Sequence, residues 1–325
     1  MNVFSPEYAE RLVVVILTHS GPGIGGGHVS RCRSLSLELE KLGVSIRWIV
    51  DEETPREAIP GNDVHRVASL RSVSPDVLGR TPLIVVDSYL PTFDDLARLA
   101  RIAPLCVVDD SRREPVERLA TILLNYNFGA GEIGYEDVPD ISLLGPQFAL
   151  IRPEIRNVEP YDGGYVLLVA GGADVQAATP AIIDMWNDAL PPLIAVLGPL
   201  CAGSIADSSS RSAERKKHVR ILRNPPEFAE VLSGASVVLC TSSVTCYEAL
   251  ALRKPVVVFQ VAENQKRIGD VIGEKRYGIN LGWWGTFAST DVFHALTQPI
   301  LPPVDCVNLR GAQRVADTLY KWLKR

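Results

Sequence analysis

The chain has 325 residues, a formal net charge of -5 and 46% apolar residues, enough for two domains of about 150 residues with a core each. Its acidic balance, with a pI near 5.6, speaks against a nucleic-acid surface, which needs a basic stripe, but leaves room for a local basic pocket. No apolar run reaches the roughly 18 residues of a membrane span, so no membrane insertion is expected.

The first residues carry Glu7 and Glu10 and no basic cluster, which predicts no leader and a cytoplasmic protein. Arg11 to Leu17 reads as a buried strand, followed by a glycine-rich loop. From His28 to Leu42 the apolar residues Leu35, Leu39 and Leu42 share one helical face, and Gly43 supplies a stop. Val44 to Val50 is a second strand, ending at Asp51. Leu83 to Asp87 is a third, before a helix from about Asp94 to Arg101. Leu105 to Asp109 and Ile122 to Leu124 are further strands. Arg152 to Gly164, with Pro153, Pro160, Gly163 and Gly164, reads as a linker.

The pattern then restarts. Tyr165 to Ala170 is a strand, followed by Gly171-Gly172 and a helix. Strands are expected at Leu193 to Leu197, Val219 to Leu222, Val237 to Cys240 and Val256 to Phe259. Helices are expected at Phe228 to Leu232, Thr245 to Leu252 and Gln265 to Gly273. Ser204 to Lys217 is polar, either a mobile connection or a solvated helix. Asn308 to Arg325 carries Val315, Leu319, Trp322 and Leu323 at helical spacing and should dock by that face. Continuous rather than alternating apolar runs indicate parallel strands covered on both faces. The fold class is therefore α/β, with two Rossmann-like domains facing a cleft. The expected division is 1–155 for the first Rossmann-like domain, 156–307 for the second, and 308–325 for the terminal helix.

The six cysteines lack a CxxC pair and read as reduced, buried small hydrophobes; the five histidines lack metal-ligand spacing. Neither metal nor cofactor is expected. The loop from Gly21 to His28 follows a strand and opens a helix. Glycines let a ligand approach the backbone, and helix N-termini attract anions. Gly21, Gly23 and Gly26 also satisfy G-x-G-x-x-G, with Asp51 ending the second strand, which keeps a nicotinamide oxidoreductase open. The plain structural reading is a tight turn without chemistry. His28, after Gly25, Gly26 and Gly27, is the natural general base. In the second half, Ser242, Ser243 and Thr245 at a helix start can hold a diphosphate, and Glu248 one turn on can accept from ribose hydroxyls. The plain alternative is a Ser/Thr-capped helix with Glu248 solvated. Asp109-Asp110 reads as a capping or positioning pair.

Ile24-Gly25-Gly26-Gly27-His28-Val29-Ser30-Arg31 resembles the I-G-x-G-H-x-x-R signature of the UDP-2,4-diacetamido-2,4,6-trideoxy-β-L-altropyranose hydrolases (PseG-like) of pseudaminic acid biosynthesis. Those are similar to the MurG-type glycosyltransferases of the GT-B fold. The resemblance continues through Asp87-Ser88-Tyr89, Asp109-Asp110, Leu123 to Asn127, Gly145 to Glu154 and Gly171 to Asp174. Ser242 to Glu248 resembles the relatives' nucleotide site, and Lys254-Pro255 and Asn264-Gln265 stand where they carry K/R-P and N-Q. It implies hydrolysis of a UDP-sugar, with His28, Asp87 and Tyr89 catalytic. Gly25, Gly26, Gly27, Arg31, His19, Asn127, Gly172, Ser242, Ser243, Thr245, Tyr247, Glu248, Asn264 and Gln265 would bind substrate. Two positions depart: His19 replaces an Asp, and Tyr247 replaces an Asn. A glycosyltransferase and a non-catalytic sugar-nucleotide sensor remain alternatives.

Overall fold

Continuous Val/Ile/Leu runs form the inner strands of two separate parallel sheets. The structure is a computed structural model describing residues 12–21, 25–59, 61–110, 112 and 114–325. The first sheet holds β1 (Val13–Thr18), β2 (Ser45–Asp51), β3 (Val64–Val67), β4 (Leu83–Asp87), β5 (Leu105–Val108), β6 (Ile122–Asn125) and β7 (Ile141–Leu144). The second holds β8 (Tyr165–Val169), β9 (Leu193–Leu197), β10 (Val219–Arg223), β11 (Ala235–Thr241), β12 (Val256–Gln260) and β13 (Ile279–Trp283). The helices of the first half are α1 (Gly27–Lys41), α2 (Pro75–Leu78) and α3 (Phe93–Ala100). Those of the second are α4 (Ala178–Met185), α5 (Gly203–Glu214), α6 (Phe228–Ser233), α7 (Val244–Ala251), α8 (Lys266–Glu274), α9 (Ser289–Thr297) and α10 (Gly311–Leu323).

The strand orders are β3-β2-β1-β4-β5-β6-β7 and β10-β9-β8-β11-β12-β13, and every pairing is parallel. In each sheet the order reverses once, between β1 and β4 and between β8 and β11. Loops leaving that point diverge to opposite faces and open a crevice at the strands' carboxyl ends. Register decides what meets there. Thr18 pairs with Asp87, so His19 follows directly beside that carboxylate. Val169 pairs with Cys240, so Gly171-Gly172 emerges beside Thr241-Ser242.

Several expectations shift. The first strand begins at Val13; Arg11, the residues before it, and Pro22, Gly23 and Ile24 lie outside the described residues. Strands β3, β7 and β13 carry no continuous apolar run. All three are edge strands with mostly half-buried side chains, so the buried-strand pattern is absent. Ser204 to Lys217 is mainly helix α5, which buries Ala206, Ser209 and Ser212 and packs on α4. The expected linker is anchored: Ile155 is fully buried, and Arg156 pairs with Glu38 of α1. Helix α3 starts on a capping box, Thr92 with Asp95. Cys32, Cys106, Cys240 and Cys246 are buried free thiols, while Cys201 and Cys306 are partly exposed.

Helix α10 returns to pack on α1 with Val315 and Leu319 buried, and Trp322 and Leu323 half-buried. Its start lies backbone to backbone on the first half: a Cβ at Gly311 would stand 2.3 Å from the Ala149 carbonyl oxygen. One apolar cluster runs from β1 and α1 through α10 to Leu167, Val238 and Tyr247 of the second half. The two sheets thus share a core as well as a cleft. Leu319→Ala should cost about 2–5 kcal/mol, because it opens a cavity at a fully buried position. Urea unfolding of the purified chain checks this.

Candidate active site

The centre of the first crevice is a buried carboxylate. Asp87 closes β4 and is inaccessible to solvent. Its Oδ1 accepts from His28 Nδ1 at 2.6 Å and from Arg31 Nη2 at 2.5 Å; its Oδ2 accepts from Arg31 Nε at 2.5 Å. Both partners come from the first turns of α1, three residues apart, hence on one helix face. Burial alone would push the Asp87 carboxyl up, but Arg31 and His28 more than offset it and hold it well below the usual carboxylate range. An ionised Asp87 can only accept, so the 2.6 Å contact puts the proton of a neutral His28 ring on Nδ1, while Arg31 Nη2, 2.9 Å from that nitrogen, donates to Asp87 Oδ1 instead. Nε2 has no hydrogen-bond partner among the described residues. A lone pair is therefore left on Nε2.

Arg31 continues the network: Nη1 reaches Asp110 Oδ2 at 3.0 Å. Asp110 also accepts from the Tyr89 hydroxyl at 2.5 and 2.6 Å. Burial, then the Asp110 charge, pushes the Tyr89 hydroxyl above its ordinary range, so it stays a donor. Its ring stands edge-on to His28, with centroids 4.5 Å apart. Asn264 of the second half donates to the same hydroxyl at 2.9 Å. Asp110 thus joins Arg31 to Tyr89, a part that its place in the Asp109-Asp110 pair does not reveal in the sequence. Asp109 does the capping, accepting from the Arg112 backbone at 2.9 Å and from Tyr135 at 2.7 Å.

His19 stacks on His28, with ring centroids 4.8 Å apart and planes at 27°. It is fully buried, and burial followed by the nearby His28 lowers its pKa to about 4. Asp51, the acid of the dinucleotide reading, is tied to Thr54 Oγ1 at 2.5 Å, and Thr54 in turn accepts from the Ser20 backbone at 3.0 Å. It serves the local turn.

The glycine loops of the two halves meet. Gly25 has φ +84, a conformation that favours glycine. A Cβ on Gly172 would lie 3.3 Å from the Gly26 nitrogen. Gly27 opens α1 with open space around it.

Residues expected to bind a nucleotide divide into two groups. At the start of α7, Ser243 bonds Thr241 at 2.9 Å, Ser242 is buried beneath and receives Gln260 at 3.2 Å, and Thr245 lies in the first turn. First-turn N–H groups of a helix have no intrahelical partners, so this end is suited to an anion. Glu248 and Tyr247 lie buried at the seam between the halves. Glu248 is fully buried, and Arg152 holds both its oxygens, Nε to Oε1 at 2.7 Å and Nη2 to Oε2 at 2.5 Å. It is neither solvated nor presented to a ribose in this conformation. Tyr247 is a bolt between the halves: its hydroxyl donates to Asn127 Oδ1 at 3.2 Å and accepts from the Phe128 N–H at 3.0 Å, while its ring stacks on Phe128. Asn127 is thus held between Tyr247 and the Asp110 carbonyl. Gln265 braces its own loop, accepting from the Val261 N–H at 2.9 Å. Arg152, which stacks on Phe228 and pairs Glu248, was visible in the sequence only as one residue of a motif.

Two Rossmann-like domains that meet at their switch points, with a polar cluster between them, define the GT-B fold. Chains of known structure agree. The UDP-GlcNAc 2-epimerase of Methanocaldococcus jannaschii, solved with UDP-GlcNAc and UDP, superposes with TM-score 0.62 at 12% identity over 95% of this chain and 100% of its own. MurG of Acinetobacter baumannii gives 0.60 at 13% identity over 95% and 99%. The UDP-GlcNAc 2-epimerase of Neisseria meningitidis bound to UDP-GlcNAc gives 0.60 at 12% over 95% and 100%. No family model matches the chain. A curated relative, an uncharacterized protein of M. jannaschii, is 23% identical over 280 residues, 79% of this chain. The match spans 57% of that relative's length. Among the described residues no helix is long and apolar enough to cross a membrane.

Two outcomes follow from the charges. Arg152→Ala leaves Glu248 buried and unpaired, so it should cost about 3–5 kcal/mol by urea unfolding. Arg152→Met with Glu248→Leu should recover most of that. Burial keeps His19 neutral in the folded state, whereas the unfolded ring takes up a proton near 6.5. Its contribution is therefore complete above about 6.5 and is lost as the pH falls toward about 4. Between about pH 6.5 and 5 the wild type should lose about 1–2 kcal/mol more than His19→Phe, read by urea unfolding at both pH values.

Proposed function

We propose that the chain hydrolyses a UDP-linked amino or deoxy sugar at the anomeric carbon, releasing UDP and the free sugar. The observation that carries this reading is His28: Asp87 holds its Nδ1 at 2.6 Å, and its Nε2 has no partner among the described residues. That is the arrangement of a general base with an orienting carboxylate. Solved GT-B proteins with UDP-GlcNAc or UDP bound support the substrate class through the fold they share. The PseG-like motifs around Gly25, Asp87, Asn127 and Arg152 support hydrolysis, and pseudaminic acid biosynthesis as its setting.

In this mechanism His28 Nε2 takes a proton from water. The water oxygen forms a bond to the anomeric carbon while the bond to the diphosphate oxygen breaks, and its electron pair leaves with UDP. The start of α7, from Ser242 to Thr245, meets the charge on the leaving group. Diphosphate is a good leaving group, so no paired glycosidase carboxylates are required. Asp87 stabilises the imidazolium that forms, and Arg31 and Asp110 hold Asp87 and Tyr89 in place. Entry of substrate requires the contacts between Asn264 and Tyr89, and between Gly26 and Gly172, to part, so turnover includes domain opening.

A transferase would use the same base on an acceptor hydroxyl, and the fold shared with MurG keeps that reading alive. Against the oxidoreductase reading stand the engagement of Asp51 Oδ1 by Thr54 and the fold shared with UDP-sugar proteins.

UDP should be released from a panel of UDP-amino sugars without any acceptor. Strict dependence on an added acceptor sinks the hydrolase reading in favour of transfer. His28→Ala should lower kcat about 10²–10⁴-fold while UDP affinity, read by calorimetry, stays within about twofold. Retained turnover refutes His28 as the base.

A further inference from the structure

The end of β1 holds polar atoms that the mechanism above does not use. His19 is fully buried, yet neither Nδ1 nor Nε2 has a hydrogen-bond partner among the described residues. The hydroxyl of Ser20, its neighbour, is likewise buried without one. Buried polar groups are nearly always paired, and leaving one unpaired costs stability. An apolar ring would fill the same space without that cost. Such sites persist where a ligand completes them.

The place of these atoms says which ligand. His19 follows Thr18, which pairs in register with Asp87, and its ring stacks on the proposed base, His28. Tyr89 stands edge-on to it, with centroids 6.4 Å apart. A group bound to His19 therefore lies beside the reacting centre, not at the diphosphate end near α7. The charges near the ring are Asp51, Asp87 and Arg31, and burial together with His28 keeps it neutral. A neutral imidazole offers one N–H donor and one lone pair. The Ser20 hydroxyl offers the same combination. An uncharged group with both a donor and an acceptor satisfies them.

We propose that His19, with the Ser20 hydroxyl, forms a specificity subsite that binds an uncharged hydrogen-bonding substituent of the sugar ring, a hydroxyl or an N-acyl amide, beside His28. This rests on the sugar-nucleotide reading of the site. It assigns His19 to recognition of the sugar rather than to proton transfer, and it predicts a ligand-free protein that carries the subsite at a cost in stability.

The test measures Kd by calorimetry near pH 7.5 for UDP, UDP-glucose and UDP-GlcNAc, with wild type, His19→Phe and His19→Gln. Phe keeps the stack and removes both nitrogens. Gln keeps one donor and one acceptor, which controls for packing. For the wild type, at least one UDP-sugar should bind more tightly than UDP. In His19→Phe that advantage should fall about tenfold or more, with UDP affinity unchanged and thermal stability equal or higher. His19→Gln should restore part of the advantage. A loss confined to UDP-GlcNAc identifies the amide as the ligand group; a loss with both sugars identifies a hydroxyl. An unchanged sugar advantage in His19→Phe overturns the subsite and leaves the functional reading standing. So does a parallel loss of UDP binding and thermal stability, which marks a structural histidine. A wild type that binds none of the three overturns the functional reading, and the subsite with it.

Discussion

A carboxylate without water must be given its hydrogen bonds by the protein, and Asp87 is such a carboxylate. It sits at the end of a strand covered on both faces, where solvent cannot reach it. Desolvation on its own would neutralise it. A guanidinium and an imidazole from one turn of α1 keep it ionised, and that ionisation fixes the rest. It sets which nitrogen of His28 carries the proton. It positions Arg31, whose remaining arm orders Asp110, and Asp110 orders the Tyr89 hydroxyl. Five side chains from two strand ends and one helix thereby become a single electrostatic unit.

The same network crosses the cleft. Asn264 extends it from Tyr89 into the second domain, and two further contacts join the halves nearby. One is polar and aromatic, Tyr247 against Asn127 and Phe128; the other is ionic, Arg152 against Glu248. A buried ion pair is weak evidence for net stability, because desolvation offsets most of the attraction. Its geometric demand is strong, however, since either charge alone in that site is costly. The domains are therefore held in register by contacts that are specific rather than simply adhesive. The glycine loops meet at the same seam, where a side chain on Gly172 would press on the Gly26 backbone.

How legible all this was in the sequence depends on the kind of signal. The inner strands were legible because burial on both faces demands unbroken Val/Ile/Leu. Edge strands β3, β7 and β13 were not, since a half-covered strand with residues such as His65, Arg66 and Asn280 carries no such run. Helix α5 was obscured by serines that here face inward, where their hydroxyls bond preceding carbonyls. In the site, the sequence singled out His28, Arg31, Asp87 and Tyr89 together, and the structure places them within one network. It gave no warning that Glu248 would be buried against Arg152, because a residue's partner across 96 positions leaves no local trace.

The sequence by itself determined the two parallel α/β halves, the glycine loop ahead of His28 and the strand ends where polar residues gather. Periodicity and turn residues are local properties, and local properties can be read along a chain. Only the tertiary structure decided the pairings: His28 with Asp87, His19 stacked and unpartnered, Tyr247 as a bolt, Arg152 on Glu248. Those depend on strand register and on how two domains meet, where a shift of one residue would replace every neighbour.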